Sequence, residues 1–285
     1  MALEAVEDRG RPPKRGKRRR RARSGRSRSG TFGHVLPSLL TTGNLAAGFF
    51  AIVKASTGDP LLASYAVFVA AVFDVLDGRA ARLLGNESRF GAEYDSIADT
   101  VSFGVAPAVI AFHAGGMIEL GWAGWVLAFT YTACASLRLA RFNVTSGRYR
   151  GRFDGLPAPA AAGVVVSTVW FHGFLASNGV SITVPALLPA LGLTCVGLLM
   201  VSPIPYHSFK EVDVRGSYGA IVIMVILSIL LLIEPGLNFF LFGLVYCASG
   251  PIGWWWRRRT GRSLESLMDS SKSSPESHGV GLGED

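Results

Sequence analysis

Eight stretches of 18 to 20 residues with few charges dominate this chain: 36–54, 60–77, 97–114, 121–140, 157–176, 184–202, 217–234 and 237–256. An apolar run of about 20 residues crosses a ~30 Å hydrocarbon layer as a helix. Inside lipid every backbone polar group needs a partner within the chain, which leaves helices or closed barrels. The runs are too long for barrel strands, so the sequence predicts an all-α polytopic membrane protein with about eight transmembrane helices. Residues 32–259 would form the transmembrane domain. Residues 1–31 are strongly basic and residues 260–285 are rich in Ser, Gly and Glu, so both read as disordered tails.

Positive charge orients the bundle. With the N-terminus inside and eight crossings, 27 of the 28 Lys and Arg residues fall on one side, and Lys54 alone falls on the other. Cytoplasmic segments of membrane proteins are enriched in these residues. Both termini are therefore expected in the cytoplasm, and an integral protein of the cell (inner) membrane is expected. The basic tail contains the run Arg18 to Arg21. It fits a topology determinant or a tether to anionic membrane lipids. No aromatic residues interleave with its arginines as a base-stacking surface needs, so no nucleic-acid partner is expected. Cys134, Cys195 and Cys247 lie in apolar runs without metal-ligand spacing, and the histidines are scattered.

Within this apolar frame stands a pattern of charge: D-x-x-D-G-x-x-A-R, eight residues, then G-x-x-x-D-x-x-x-D. It comprises Asp74, Asp77, Gly78, Ala81, Arg82, Gly91, Asp95 and Asp99. Carboxylates beside membrane helices are costly and mark function. Spacings of three and four place each pair on one helix face. The apolar runs put Asp74 and Asp77 at the end of the second helix and Asp95 and Asp99 at the start of the third. A surface link from Gly78 to Tyr94 is expected between them. Two facing pairs supply hard oxygen ligands, which suit Mg²⁺ or Mn²⁺ better than Zn²⁺. Two such ions can clamp a diphosphate. Gly78 and Gly91 permit close approach of a phosphate or nucleotide, and Arg82 can pair with a phosphate or a carboxylate.

The pattern resembles the full motif of the CDP-alcohol phosphatidyltransferase family. The resemblance implies that a CDP-activated lipid donates its phosphatidyl group to an alcohol and that CMP leaves. It implies metal ligation by Asp74, Asp77, Asp95 and Asp99, with Asp99 also the general base. It places nucleotide contacts at Gly78, Ala81, Arg82 and Gly91 and, on the first helix, at Thr41 and Asn44. A homodimer is implied as well. Flanking segments are similar to the membrane-spanning class of phosphatidylserine synthases: Leu36-Pro37, Thr41, Asn44-Leu45 and Gly48; Leu139 to Val144; and Phe153 with Gly155 to Ala161. Ser38 and Ala158 depart from that class, where asparagine and serine are common. The implied substrates are CDP-diacylglycerol and L-serine. Serine carries a carboxylate, for which Arg141, then Asn143 and Lys210, are the chosen contacts.

Three alternatives frame this reading. The same chemistry could serve glycerol 3-phosphate or inositol phosphate, which a basic pocket would also suit. A cation transporter could use an acidic intramembrane site, but the carboxylates have no counterpart in the second half of the chain. A covalent-histidine route needs paired H-x-K motifs, and His207 and Lys210 have the wrong spacing.

Overall fold

The computed structural model describes residues 32–84, 88–145, 153–206 and 233–260. Helix α1 (Phe32–Ser56) and helix α2 (Pro60–Leu84) form an antiparallel pair joined by a short turn. Gly58, at φ +87, takes the left-handed conformation this turn requires. The α1–α2 pair packs through small residues: Ala51, Ala55, Ala63, Ala66 and Ala70 are all buried. Lipid is as apolar as leucine, so membrane helices associate by close packing of small side chains.

Helix α3 runs from Arg89 to Ala114 and is interrupted by a π-helical turn, Thr100–Val105. A 3₁₀ turn, Met117–Leu120, leads into α4 (Trp122–Thr145). Then follow α5 (Ala158–Ser177), α6 (Leu187–Val201) and α7 (Pro235–Thr260). Large apolar side chains such as Phe49, Val69, Phe129 and Val245 are exposed on the helix surfaces. They are placed to meet acyl chains.

The chain is an integral membrane protein. Five described helices are long and apolar enough to cross a membrane: Leu36–Ser56, Pro60–Leu84, Arg89–Ala114, Ala158–Ser177 and Pro235–Trp256. They correspond to five of the eight expected spans. The run at 121–140 lies, apart from Gly121, within α4, where Arg138 dilutes its apolar character. The run at 184–202 yields only Leu187–Val201, because Val184, Pro185 and Ala186 belong to the preceding non-helical stretch. The run at 217–234 lies almost wholly outside the described residues, as do the tails 1–31 and 261–285.

Two helix limits differ from expectation in a way that matters for function. Helix α2 continues seven residues past Asp77, and α3 begins six residues before Asp95. The expected surface link is mostly helix. Apolar runs end at charge, but a helix does not: Gly78 to Leu84 continue α2 with Arg79 and Arg82 at least partly exposed. Ser88 caps α3, its Oγ accepting from Gly91 N–H at 3.0 Å. All four aspartates therefore stand within helical segments flanked by further helix on the side expected to be loop.

A two-residue antiparallel ladder, β1 (Phe153–Asp154) with β2 (Pro205–Tyr206), ties the approach to α5 to the exit of α6. Gly155 follows at φ +86, donating its N–H to Ile204 O at 2.9 Å. A Cβ there would come 3.0 Å from the carbonyl carbon of Met200 and 3.1 Å from Ser202 O. Gly155→Ala is expected to cost about 1–3 kcal/mol of stability. Its thermal midpoint in detergent, compared with wild type, checks this.

Candidate active site at the α1–α2–α3 junction

The site is built where α3 packs into the groove beside the α1–α2 pair. Asp74 and Asp77 lie on one face of α2, and Asp95 and Asp99 on one face of α3. Carboxylate oxygens of Asp74, Asp95 and Asp99 all lie within 4.8 Å of one another. Asp77 is buried beside them, and its charge acts on all three. Four carboxylates at this separation repel one another unless cations or protons compensate.

Two observations fit divalent cations. Asp77 Oδ2 and Asp95 Oδ1 are buried without a hydrogen-bond partner among the described residues. Buried polar atoms are ordinarily satisfied, and orphaned ones call for an ion or ligand. The donor set is all oxygen, which favours Mg²⁺ or Mn²⁺. The residues present therefore fit a divalent metal centre.

Helix α1 supplies the polar wall. Asn44 is fully buried and donates from Nδ2 to Asp99 Oδ1 at 3.0 Å. Thr41, also buried, lies against the Asp77 carboxylate and donates to Pro37 O at 3.0 Å. Thr42 and Tyr94 share a hydrogen bond of 3.0 Å at the same seam. Thus two residues expected as nucleotide contacts, Thr41 and Asn44, stand directly against the carboxylates.

The remaining motif residues separate into two groups. Gly78 is open: a Cβ there would have only the Arg82 guanidinium nearby, at 3.9 Å. Ala81 is half-buried beside it. Among the described residues Arg82 has no carboxylate partner. Gly91 is different. It occupies the first turn of α3, where a Cβ would press to 3.0 Å from the capping Ser88 Oγ. Its lack of a side chain serves the helix cap.

The pattern is that of one family along most of the chain. The CDP-alcohol phosphatidyltransferase profile matches residues 34–196. The chain belongs to the CDP-alcohol phosphatidyltransferase family. Within this family it is similar to a CDP-diacylglycerol–serine O-phosphatidyltransferase of Mycobacterium leprae, 35% identical over 234 residues, covering 79% of this chain and 76% of the relative. A protein of the same name from Helicobacter pylori (strain 26695) is 34% identical, covering 78% of this chain and 91% of its own length. An archaetidylserine synthase of Methanothermobacter thermautotrophicus is 34% identical, covering 65% of this chain and 74% of its own.

Two of the residues chosen for the acceptor, Arg141 and Asn143, lie on α4, which runs antiparallel to α3. Thr132 Oγ1 donates to Gly104 O at 3.1 Å, and Asn143 Nδ2 donates to Ser96 Oγ at 2.8 Å. Asn143 thus serves the α3–α4 contact. Arg141 Nη1 donates to Val201 O at 3.1 Å, binding α4 to the end of α6. Lys210 lies outside the described residues. Between the two α3–α4 contacts stands Arg138. It is 8% exposed, and among the described residues its Nε has no hydrogen-bond partner. Arg141 and Tyr246 are close enough to act on it electrostatically. A buried guanidinium without an anion is costly. The sequence carries its signal only as one more arginine in R-L-A-R; its burial is a tertiary property.

Proposed function

We propose that this protein transfers the phosphatidyl group of CDP-diacylglycerol to L-serine, giving a phosphatidylserine and CMP. The observation that carries the reaction type is the partly buried oxygen cluster of Asp74, Asp77, Asp95 and Asp99 in a member of this family. For the acceptor, the support is the name shared by its relatives. Serine appears in the bacterial and archaeal names alike, although the lipids they name differ.

In this reading the serine hydroxyl oxygen attacks the phosphorus that bears the diacylglycerol. A P–O bond forms, the bond to the CMP oxygen breaks, and the hydroxyl proton passes to Asp99. Two Mg²⁺ or Mn²⁺ ions held by the four aspartates would neutralise the diphosphate and the departing oxygen. The chain's own residues do the rest. Asn44 orients the Asp99 carboxylate, and an open backbone at Gly78 and Ala81 admits the nucleotide. Arg82 faces the phosphates. Arg138 and Arg141 present positive charge to the serine carboxylate on the α4 side, with Arg138 the desolvated member. We place the site on the cytoplasmic side of the inner membrane, supported by the distribution of basic residues. A homodimer is the assembly that family resemblance supports.

The experiment is direct. Purified protein in detergent receives CDP-diacylglycerol, Mn²⁺ or Mg²⁺, and labelled serine, glycerol 3-phosphate or inositol phosphate, and CMP release is measured. Serine is expected to give the highest kcat/KM. A higher value for glycerol 3-phosphate would overturn the acceptor while leaving the reaction type standing. Arg138→Ala and Arg141→Ala are expected to raise KM for serine roughly 10- to 100-fold, as loss of a charged hydrogen bond does. KM for CDP-diacylglycerol should change far less.

A further inference from the structure

We infer that Ser102, which lies outside the aspartate motif, is a positioning residue that sets where the Asp99 carboxylate stands. The inference rests on the role proposed above for Asp99. Its basis is a set of contacts around the π turn that begins one residue after Asp99.

The turn Thr100–Val105 shows its π-helical character in Ala106 N–H, which donates to Val101 O, five residues back. A π turn holds one residue more than the α turn it replaces and is found often at functional sites. It rotates the segments on its two sides relative to each other. Upstream, Asp95 and Asp99 face Asp74 on α2. Within the turn itself, consecutive carbonyls face α4: Phe103 O accepts from Tyr131 Oη and Gly104 O from Thr132 Oγ1, each at 3.1 Å.

Ser102 fixes the opposite side of this turn. Hydroxyls in helices commonly bond back to their own helix. Thr100 does so, donating to Ser96 O at 2.7 Å, and Ser136 donates to Thr132 O at 2.9 Å. Ser102 instead crosses to α1, where its buried Oγ donates to Asn44 O at 3.0 Å. The same Asn44 donates from its side chain to Asp99 Oδ1. One residue of α1 therefore holds α3 at two points, one within the π turn and one at the carboxylate.

Gly48 makes the approach possible. It lies one turn along α1 from Asn44, and a Cβ there would collide with Ser102 Oγ and stand 2.7 Å from Ser102 Cα. The backbone of the π turn is seated on α1 at a place where no side chain intervenes. Loss of the Ser102 hydroxyl leaves Asn44 holding α3 through Asp99 alone and frees the π turn to slide against α1. An error of about 1 Å in a catalytic group can cost 10²-fold in rate.

The test compares the full chain with Ser102→Ala, Asp99→Asn and Ser167→Ala in detergent. Ser167 is a buried serine of α5 that bonds within its own helix, to Val164 O at 2.8 Å, and controls for loss of a buried hydroxyl. Steady-state kinetics are measured beside Mn²⁺ binding by electron paramagnetic resonance and the thermal midpoint. Ser102→Ala is expected to lower kcat about 10- to 100-fold, to weaken Mn²⁺ binding, and to leave KM for serine unchanged. Ser167→Ala should leave all three at wild-type values. Wild-type kcat and Mn²⁺ binding in Ser102→Ala would overturn the inference, as would equal kcat losses in the two serine variants that track their thermal midpoints. Should Ser102→Ala fail to fold, Gly48→Ala perturbs the same contact from α1 and must show the same split; wild-type kinetics there would overturn it. Wild-type kcat in Asp99→Asn would instead refute the role given to Asp99.

Discussion

Asp95→Asn is expected to lower turnover by roughly 10²–10³ or more, the scale seen when one element of a charge-stabilising site is lost. Asp95 Oδ1 is buried and unpartnered among the described residues, and its carboxylate lies in the same 4.8 Å group as Asp74 and Asp99. An amide keeps the volume and removes the charge that holds a cation. Direct Mn²⁺ titration should show weaker binding while the thermal midpoint of the metal-free protein holds or rises, because repulsion with Asp74, Asp77 and Asp99 is relieved. Chelation of the wild-type protein should abolish CMP release, and added Mg²⁺ or Mn²⁺ should restore it. Full activity in excess chelator would sink the metal reading.

Asp99→Asn is expected to reduce kcat by roughly 10²–10⁴, the contribution of a positioned general base. The amide oxygen that this substitution leaves at position 99 can still accept from Asn44 Nδ2, so the local packing is retained. Binding of CDP-diacylglycerol should change much less than kcat. A parallel loss of donor binding and turnover would instead assign Asp99 to metal ligation alone. Near-normal kcat with an unaltered pH profile would remove it from the chemistry.

The cluster is legible because its spacing is local. A step of three from Asp74 to Asp77, and of four from Asp95 to Asp99, fixes which side chains share a face whatever the tertiary fold. The helix limits are less legible. Asp77 and Arg79 end the apolar run, and hydropathy alone cannot see that the backbone continues to Leu84. Asn44 stands out in the sequence only through resemblance, as a nucleotide contact. Its bond to Asp99 spans 55 residues, and nothing in either local sequence predicts it. Ser102 carries no signal at all, because a serine in an apolar run ordinarily satisfies itself on its own helix. Its role depends on a π turn, which changes the angular register of α3 without a trace in the hydrophobic pattern. Arg141 has the stronger sequence claim, yet Arg138 is the buried guanidinium.

Helices α2 and α3 continue beyond the aspartates by seven and six residues, about 10 Å of helix at 1.5 Å per residue. Asp77 and Asp95 thus lie about two helical turns from these helix ends. In the proposed reaction a lipid reaches that depth sideways from its own leaflet, and a water-soluble amino acid must come down from the helix ends. The two products then part company: the new lipid leaves laterally into the bilayer, and CMP rises to water. Separate exits uncouple the traffic of greasy and soluble species. A blocking compound able to occupy both routes would have to be amphiphilic, with its polar end long enough to reach from the aspartates to the helix ends.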